Sequence, residues 1–322
     1  MAEFATNESY ITEFVILGFS NSLEQKVPLF LIFLLIYLFT LVSNLLIITL
    51  IFLHRNLHTP MYFFLCNLSF LDIFLTSVTA PNLLHNIISE NKRISFSACI
   101  AQLFLFNILT TVEYMLLTSM SYDRYQAICN PLRYYQNMNK NTCQIFAGMA
   151  WIGGFLAPLP ISISISALPF CSSNQINHIF CDVAPLLKIA CGDTSATERL
   201  IFVAGVLVVL NCFILTVTSY VFIISTILKL STSKGRRKAF STCSSHLTAI
   251  ILFYAMIASM YMKRPSSYSL DEGKVQSVLF SNIIPMLNPV IYTLKNNDVK
   301  ETINRMTHIS FKSLRSRRDT MK

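Results

Sequence analysis

The sequence predicts an all-α membrane protein, a bundle of seven transmembrane helices. Of the 322 residues, 53% are hydrophobic and only 13% are charged, and the mean hydropathy is +0.55. The charges are clustered, so that 27 residues without charge separate Lys26 from His54, and 29 separate Arg199 from Lys229. An apolar run of about 20 residues is enough to cross the hydrocarbon core as a helix. This composition excludes a disordered chain, a collagen and a small disulfide scaffold, and it argues against a soluble enzyme.

The seven spans follow from the uncharged runs. Continuous helices are expected because lipid offers no partner to exposed backbone groups. The predicted spans, numbered 1 to 7, are about Pro28–Leu53, Met61–Leu84, Cys99–Ala127, Cys143–Ala167, Arg199–Leu228, Ala239–Met262 and Val275–Leu294. The uncharged stretch 141–181 is too long for one span, and Pro158, Pro160 and Pro169 predict where its helix loosens.

The chain thereby divides into an N-terminal tail (1–27), a seven-span domain (28–294) and a C-terminal tail (295–322). Residues 1–27 contain four glutamates and no compact apolar core, so we expect span 1 to act as its own insertion signal. In the C-terminal tail, Val299, Ile303 and Met306 recur at helical spacing, which predicts a short amphipathic helix on the inner leaflet.

The basic residues predict the orientation. With the N-terminus outside, 17 of the 25 lysines and arginines fall in inner segments and eight in outer ones. Anionic lipid attracts the inner excess, so the net charge of +9 indicates membrane lipid rather than nucleic acid as the partner. Asn7 begins the glycosylation sequon Asn-Glu-Ser on the outer side.

Four of the nine cysteines fall on the predicted outer side, where an oxidising environment allows disulfides to persist. Cys99, Cys171, Cys181 and Cys191 can pair in three ways, between which spacing does not choose. The other five are expected to be free thiols: Cys66, Cys129, Cys143, Cys212 and Cys243. No Cys-x-x-Cys pair occurs, so neither zinc nor thioredoxin-like chemistry is indicated.

Two motifs suggest a conformational switch. Asp123-Arg124-Tyr125 places a charge pair at the inner end of span 3, where each charge is costly without its partner. Breaking that pair would free Arg124 for another acceptor, whereas a plain interfacial salt bridge is the alternative. Asn288-Pro289 puts a proline inside span 7, which predicts either a moving hinge or a static kink.

Asp72 and Glu113 are the acids expected deep in the bundle. Two nearby carboxylates in low dielectric cannot both stay ionised without a counter-ion, so a shared proton or a bound sodium ion are both open. A static polar network between helices is the alternative. Asn44, Ser281 and Asn288 are the expected polar neighbours.

Four strings carry a resemblance to a known family. Leu57–Leu65 reads LHTPMYFFL, Met120–Leu132 reads MSYDRYQAICNPL, Lys238–Leu247 reads KAFSTCSSHL, and Pro285–Tyr292 reads PMLNPVIY. In this order and spacing they closely resemble the signature strings of olfactory (odorant) receptors, in the tetrapod-type branch of the rhodopsin-like G-protein-coupled receptors. The resemblance runs from about residue 10 to residue 305. It departs at Ala255, where the family usually has Gly, and at Gln126, where it often has Val.

The resemblance implies a plasma-membrane receptor that binds a small volatile odorant and activates a stimulatory heterotrimeric G protein with cyclic-AMP output. It implies no cofactor and no enzymatic activity. It pairs Cys99 with Cys181, which leaves Cys171 for Cys191. It also makes Asp123, Arg124 and Tyr125 a switch, and Pro289 a hinge at which Tyr292 swings inward.

The candidate ligand pocket lies in the outer half of the bundle. Helical spacing on spans 3 and 6, together with the family alignment of spans 5 and 7, gives an apolar lining with few polar groups. Its residues are Phe106, Asn107, Thr110, Thr111, Ala204, Gly205, Val208, Tyr254, Ile257, Ala258, Tyr261, Val278 and Ser281. Plain helix packing is the alternative for each of them.

Two other functions are weighed against this interpretation. A receptor for amines or peptides needs a carboxylate in the outer part of span 3 for an ammonium ligand, where this chain has Phe106. A channel or transporter predicts several ionisable residues along a pathway, or internally repeated halves. The sequence has two buried acids and no such repeat.

Overall fold

The computed structural model describes residues 11–19, 23–171, 173–261, 270–295 and 299, and they are mostly helical. The spans are Leu23–Leu53 (span 1), Pro60–Ile88 (span 2), Phe96–Cys129 (span 3), Lys140–Leu156 with Leu159–Ser166 (span 4), Ser195–Gly205 with Val206–Leu210 and Asn211–Lys229 (span 5), Ser233–Tyr261 (span 6), and Leu270–Val278 with Leu279–Ile283 and Ile284–Lys295 (span 7). Six of them are long and apolar enough to cross a membrane. Span 6 is bent by 50° between Ser233–Ser241 and Cys243–Ser259, and it makes the seventh if this pair is one span.

Most spans extend beyond their predicted limits. Span 1 begins at Leu23, inside the predicted N-terminal tail, and span 6 begins at Ser233 instead of Ala239. The added turns carry charges, such as Glu24 in span 1 and Lys234 in span 6. A search for uncharged runs marks only the part of a helix that matches the hydrocarbon core, whereas helical hydrogen bonds continue into the polar interface.

Span 4 breaks where its prolines predict. Its first helix ends at Leu156, and Pro158 precedes the second helix, Leu159–Ser166, which has Pro160 in its first turn. Gly154 lets span 4 lie close against span 3, because a Cβ at that position would clash with the side chain of Val112.

Two disulfides lie at one end of the bundle, which we call the outer end; the opposite end, at Arg124, is the inner end. Cys99 at the start of span 3 is joined to Cys181 in the loop between spans 4 and 5, which we call the outer loop. Cys171 and Cys191 join the two ends of the same loop. These are the pairs that the family resemblance implies, and Cys66, Cys129, Cys143, Cys212 and Cys243 are free thiols.

A three-stranded sheet that the sequence did not predict covers the outer end. The strands are β1 (Glu13–Ile16), β2 (Arg93–Ser95) and β3 (Gln175–Ile176), in the order β2-β1-β3. Strand β1 runs antiparallel to β2, with Phe14 opposite Ile94, and parallel to β3, with Val15 opposite Gln175. The strands are two to four residues long and non-local, so they leave almost no alternating pattern to detect.

Alternate residues of β1 form a separate outer core. Phe14 and Ile16 are completely buried and pack with Ile176, Leu186 and the Cys99–Cys181 disulfide. The Phe14 ring lies edge-on to Phe170, with centroids 5.3 Å apart. Strand β1 is therefore a structural part of the outer end.

Two expectations fall outside the described residues. Asn7 precedes the first of them, so the structure gives no test of the sequon. Within the predicted amphipathic helix, Ile303 and Met306 are also outside, and only Val299 is described, as a buried residue.

We predict that Phe14→Ala destabilises the outer end. Removing a fully buried ring leaves a void that costs about 3–5 kcal/mol. The apparent melting temperature of the purified protein should fall by several degrees. Glu13→Ala is the control, because it removes only the exposed ion pair with Arg93, which contributes little. Equal melting temperatures for Phe14→Ala and the parent chain would show that β1 is not part of the stable core.

Candidate functional site

The outer loop descends into the mouth of the bundle. Because Cys181 is tied to Cys99, the preceding residues Ile179 and Phe180 are held over span 3. Both are about 1% exposed and belong to the main hydrophobic core. The ring of Phe180 lies 4.8 Å from that of Phe106, the outermost candidate ligand residue of span 3. In this structure, therefore, Phe180 closes the region where the sequence predicts a ligand pocket.

His178 fastens this loop to span 7. Its Nδ1 lies 3.1 Å from the carbonyl oxygen of Phe180, and its Nε2 lies 3.0 Å from Oγ of Ser277. The ring stands edge-on to Phe180 at 5.2 Å, and the His178 carbonyl accepts a hydrogen bond from the backbone N–H of Gly18. One buried residue thus joins the outer loop and span 7 through its side chain, and the segment after β1 through its backbone carbonyl. We call the His178–Ser277 contact the latch.

A continuous series of aromatic contacts leads inward from Phe180. After Phe106 come Phe280 of span 7 at 6.1 Å and Phe253 of span 6 at 5.6 Å from Phe280. Phe253 in turn lies 5.0 Å from Tyr114. Movement at the outer loop can therefore reach spans 3, 6 and 7 through packed rings, without any polar contact.

The candidate ligand residues line these spans but differ in burial. Three are buried: Phe106, Ile257 and Ser281. Nine are half-buried: Asn107, Thr110, Thr111, Ala204, Gly205, Val208, Tyr254, Ala258 and Val278. Tyr261 ends span 6, and its side chain lies outside the described part of the structure.

Four of the polar candidates are bonded to their own helices. Thr110, Thr111 and Asn107 each donate to the carbonyl one turn earlier, at 2.8 Å, and Ser281 donates to Ser277 at 2.7 Å. Their oxygens still have lone pairs that can accept from a ligand. They therefore present acceptors within a mostly apolar lining.

The structure has a small apolar cavity of about 10 Å³ elsewhere, between spans 1, 2 and 7 at the inner end. It touches none of the candidate ligand residues, so it is not the predicted pocket. Its lining is Ile47, Leu50, Ile51, Leu57, Leu65, Tyr292, Thr293 and Val299.

Asp72 and Glu113 are both buried at the centre of the bundle, close enough for their charges to repel. Of the three expected neighbours, Asn288 binds Asp72, with Nδ2 donating to Oδ1 at 3.2 Å and to Oδ2 at 3.1 Å. Ser281 bonds Ser277 instead, and Asn44 donates to the carbonyls of Thr40 and Pro285. The centre thus ties span 2 to span 7 one residue before the Pro289 kink.

The donor set at this centre is carboxylate and amide oxygen, the kind that hard cations prefer. Within the described ranges, no three His, Cys, Asp or Glu side chains come together as a metal site. The Oδ1 atom of Asn44 is buried without a described hydrogen-bond partner. These residues fit either a sodium ion or a shared proton.

The inner end is closed around Arg124. Its guanidinium binds the Asp123 carboxylate through Nε and Nη2, and Tyr134 of the loop after span 3 donates to Asp123 Oδ1 at 2.8 Å. Asp123 is fully buried and Arg124 nearly so. The third member of the motif, Tyr125, points elsewhere and packs its ring 5.9 Å from Phe222 of span 5.

Spans 5 and 6 meet beside this pair. The hydroxyl of Tyr220 lies 2.9 Å from Nδ1 of His246, which is completely buried. Below them Ile223, Ile227 and Cys243 form a small apolar core. The inner ends of spans 3, 5 and 6 are therefore packed together.

Span 7 carries the predicted hinge. Pro289 lies inside its last helix, where it removes one backbone hydrogen bond. Tyr292 is almost completely buried, and its hydroxyl has no described hydrogen-bond partner. A buried hydroxyl without a partner is costly. A rearrangement of the inner end that brings the Tyr292 hydroxyl to an acceptor would remove this cost.

Sequence reasoning missed several of these residues. His178, Ile179 and Phe180 lie in a loop whose depth no local pattern reveals. His246 lies within the string Lys238–Leu247. It is the one histidine of that string, and this was a usable signal. Gln126, noted as a departure from the family, accepts from Asn137 at 3.0 Å and donates to Tyr122, so it braces the loop after span 3.

A multi-pass helical bundle with a disulfide-bonded outer loop and a buried Asp–Arg pair at the other end defines the class of seven-helix membrane receptors. A sequence model of the family described as olfactory receptor matches residues 33–309. Olfactory receptor 11L1 of Homo sapiens is 46% identical over 301 residues, which cover 93% of this chain and 93% of that protein.

Olfactory receptor 6J1 of Homo sapiens is 48% identical over 290 residues, which cover 90% of this chain and 84% of that protein. Olfactory receptor 8U9 of Mus musculus is 44% identical over 300 residues, which cover 93% of this chain and 96% of that protein. The chain belongs to the olfactory receptor family. Members of this family are G-protein-coupled receptors and not enzymes, and this chain is accordingly a multi-pass membrane protein.

We predict that the latch weakens in acid. Burial lowers the pKa of His178 from its ordinary value of 6.5, Lys274 acts in the same direction, and Asp182 raises it. Below pH 6.5 the His178 ring takes up a proton when the loop is open, whereas the buried ring of the latch does not. The free energy that favours the closed loop therefore falls by up to about 1.4 kcal/mol for each further pH unit.

Hydrogen–deuterium exchange of the amides in 174–181 should accelerate between pH 7.5 and 5.5, after correction for the intrinsic pH dependence of exchange. His178→Gln should remove this acceleration, whereas His85→Gln, at an exposed histidine of span 2, should preserve it. Identical pH profiles for His178→Gln and the parent chain would contradict the assignment.

Proposed function

We propose that this chain is an odorant receptor of the plasma membrane, with its N-terminus outside, that binds a small neutral volatile compound in the outer half of the bundle. It activates a stimulatory heterotrimeric G protein and so raises cyclic AMP. The observation that supports the ligand site most directly is the contact of Phe106 with Phe180. This contact joins span 3 to a loop that can open, at the outer end of a series of rings reaching spans 6 and 7.

The lining argues for a neutral ligand. None of the candidate ligand residues is charged. A charged ligand would lose its hydration without gaining a partner, at a cost of several kcal/mol. A neutral ligand gains about 25 cal/mol for each Å² of apolar surface it buries. Asn107, Thr110 and Thr111 can accept one or two hydrogen bonds from its polar group.

The orientation is supported from both ends of the bundle. Disulfides persist in an oxidising compartment, and both lie at the end that also carries the sheet with β1. The opposite end is flanked by the segments that hold 17 of the 25 basic residues. In this orientation Asn7 lies outside for glycosylation, and the basic tail 295–322 lies inside, where anionic lipid attracts it.

Ligand binding opens the inner end by shifting a pre-existing equilibrium. A ligand that replaces Phe180 on Phe106 moves Phe280 and Phe253, and with them spans 7 and 6. Asp72 and Glu113, through Asn288, pass the change to Pro289, where Tyr292 turns inward. Asp123 then releases Arg124, and Tyr125 moves with span 3. Ligand and G protein favour the same conformer, so each raises the affinity for the other.

The two buried acids tune this equilibrium. Either a shared proton or a sodium ion reduces their mutual repulsion in the resting state, and the bond from Asn288 to Asp72 holds span 7 against span 2. Rearrangement of span 7 has to break that bond. The acids therefore control efficacy more than ligand affinity.

We predict that Phe106→Ala raises the half-maximal concentration of neutral odorants about tenfold or more, because it opens a void in the apolar wall. The assay is a cyclic-AMP reporter in cells with a panel of volatile alcohols, aldehydes, esters and terpenes, and with matched carboxylates and amines. Phe104→Ala is the control, because that ring lies on the same helix but faces Phe155 of span 4. Surface amounts are equalised by flow cytometry.

A carboxylate or amine as the best agonist, or equal effects of Phe104→Ala and Phe106→Ala, would show that the pocket is misplaced.

Arg124→Ala separates signalling from binding, since it should abolish the cyclic-AMP response while the odorant still raises the melting temperature. A response through another class of G protein, with no rise in cyclic AMP, would overturn the assignment of a stimulatory one.

A further inference from the structure

One face of span 5 carries polar side chains into the lipid. From Asn211 to Lys229 this span is a regular helix, and its buried residues, including Thr216, Tyr220, Ile223 and Ile227, pack toward spans 3 and 6. The opposite face is exposed along its whole length. On it Asn211, Thr218 and Ser225 recur every seven residues, and Leu207, Ile214, Val221 and Leu228 alternate with them at the same spacing.

These seven residues follow one another at alternating intervals of four and three positions. They therefore form one straight line along the helix surface, here called a seam. Residues that repeat every 3.5 positions lie along a single helix face, and the same repeat forms the contact line between two helices that cross at about 20°. All seven residues of the seam are exposed, the apolar ones by more than half. We call them the span 5 seam.

Among the described residues, three polar groups of the seam have no hydrogen-bond partner. Asn211 donates from Nδ2 to the Leu207 carbonyl at 2.7 Å, but its Oδ1 accepts nothing from the described residues. The hydroxyls of Thr218 and Ser225 likewise make no hydrogen bond to any described group. Hydrocarbon offers no such bond, so three polar residues at one spacing are costly on a surface that faces only lipid.

Other exposed hydroxyls in the spans behave differently. Ser43 donates to Phe39, Thr49 to Leu45 and Ser77 to Ile73, each through a bond to a carbonyl one turn earlier. Even Ser219, the residue after Thr218, donates to Leu215 in this way. The open hydroxyls of Thr218 and Ser225 therefore distinguish the seam from an ordinary lipid-facing surface.

We propose that the span 5 seam binds the same seam of a second copy of this chain, in a parallel two-fold dimer. Two copies in one membrane point in the same direction, so the two-fold axis lies along the membrane normal and each seam residue meets its own counterpart. Asn, Thr and Ser each donate and accept, so each can bond its own copy at the same depth. A different helix would need polar groups at three matching depths, whereas a second copy has them by symmetry.

The dimer leaves the proposed ligand site and the inner end unchanged in each copy. The buried face of span 5 still presents Tyr220 to His246, while the seam lies on the far side of the helix. The inference therefore stands independently of the odorant and of the class of G protein. A polar residue at one seam position also fixes the register of the pair, as a single Asn does in coiled coils.

Cysteine cross-linking of the full-length receptor in cell membranes tests the seam. Two differently tagged copies of Ile214→Cys, or of Val221→Cys, are co-expressed and oxidised with copper phenanthroline. We expect a band at twice the 36.5 kDa chain mass that carries both tags. Leu35→Cys on span 1, where the side chain is more exposed than at either seam position, should give no such band, and neither should the parent chain with its five free cysteines.

An equal yield from Leu35→Cys would overturn the proposal, as would the absence of the band from both seam variants. A cross-linked band of another mass with a single tag would show that a different membrane protein occupies the seam, which also overturns it.

A second measurement removes only the polar groups. Asn211→Leu, Thr218→Val and Ser225→Ala are combined, and the dimer fraction is counted by single-molecule photobleaching in membranes across a range of receptor densities. We expect the dissociation constant of the dimer to rise about tenfold, with unchanged surface expression. Ser43→Ala with Thr49→Val, whose hydroxyls bond their own helix, should leave it unchanged. An unchanged constant in the triple variant would contradict the proposal.

Discussion

The arrangement of the outer half depends on the bond between Cys99 and Cys181. It fixes the outer loop to the start of span 3, and Phe180, the preceding residue, is thereby held against Phe106. His178 then lies within reach of Ser277, so the same loop is fastened to span 7 as well. This disulfide is the covalent link between the loop and span 3, and the His178–Ser277 contact adds a noncovalent link to span 7.

The structure is closed at both ends, and the two closures are of different kinds. The outer one is apolar packing plus a single imidazole contact, which a small apolar ligand can replace at little net cost. The inner one is a buried ion pair braced by Tyr134 and by the packing of spans 5 and 6. Breaking a buried ion pair is expensive unless another partner is supplied, so in the proposed function the inner end opens when a protein partner compensates for it. In that proposal, this difference lets a weakly bound ligand bias an equilibrium that a G protein completes.

Much of this arrangement could be predicted from the sequence. The number of spans, the break at Pro158, the disulfide partners implied by the family, the Asp123–Arg124 pair and the link between Asp72 and Asn288 each rest on local composition or on a recognisable string. The ends of the spans were predicted less well, because helices such as span 1 continue through charged turns that hydropathy assigns to a tail. The position of the outer loop could not be predicted, since the depth of Phe180 follows from long-range packing. The β1 sheet was missed because its strands are too short to show a period.

The central claim is that Phe180 holds the inner end closed through the packed rings of spans 3, 6 and 7. Spin labels are attached at Leu132→Cys, after span 3, and at Arg237→Cys, in span 6, with the five free cysteines replaced. Pulsed electron–electron double resonance then measures the distance between the inner ends of these two spans directly. The account predicts that a saturating agonist shifts the distance distribution to longer values, and that Phe180→Ala shifts part of it without agonist. Identical distributions for Phe180→Ala and the parent, together with no shift on adding an agonist that activates the G protein, would contradict it.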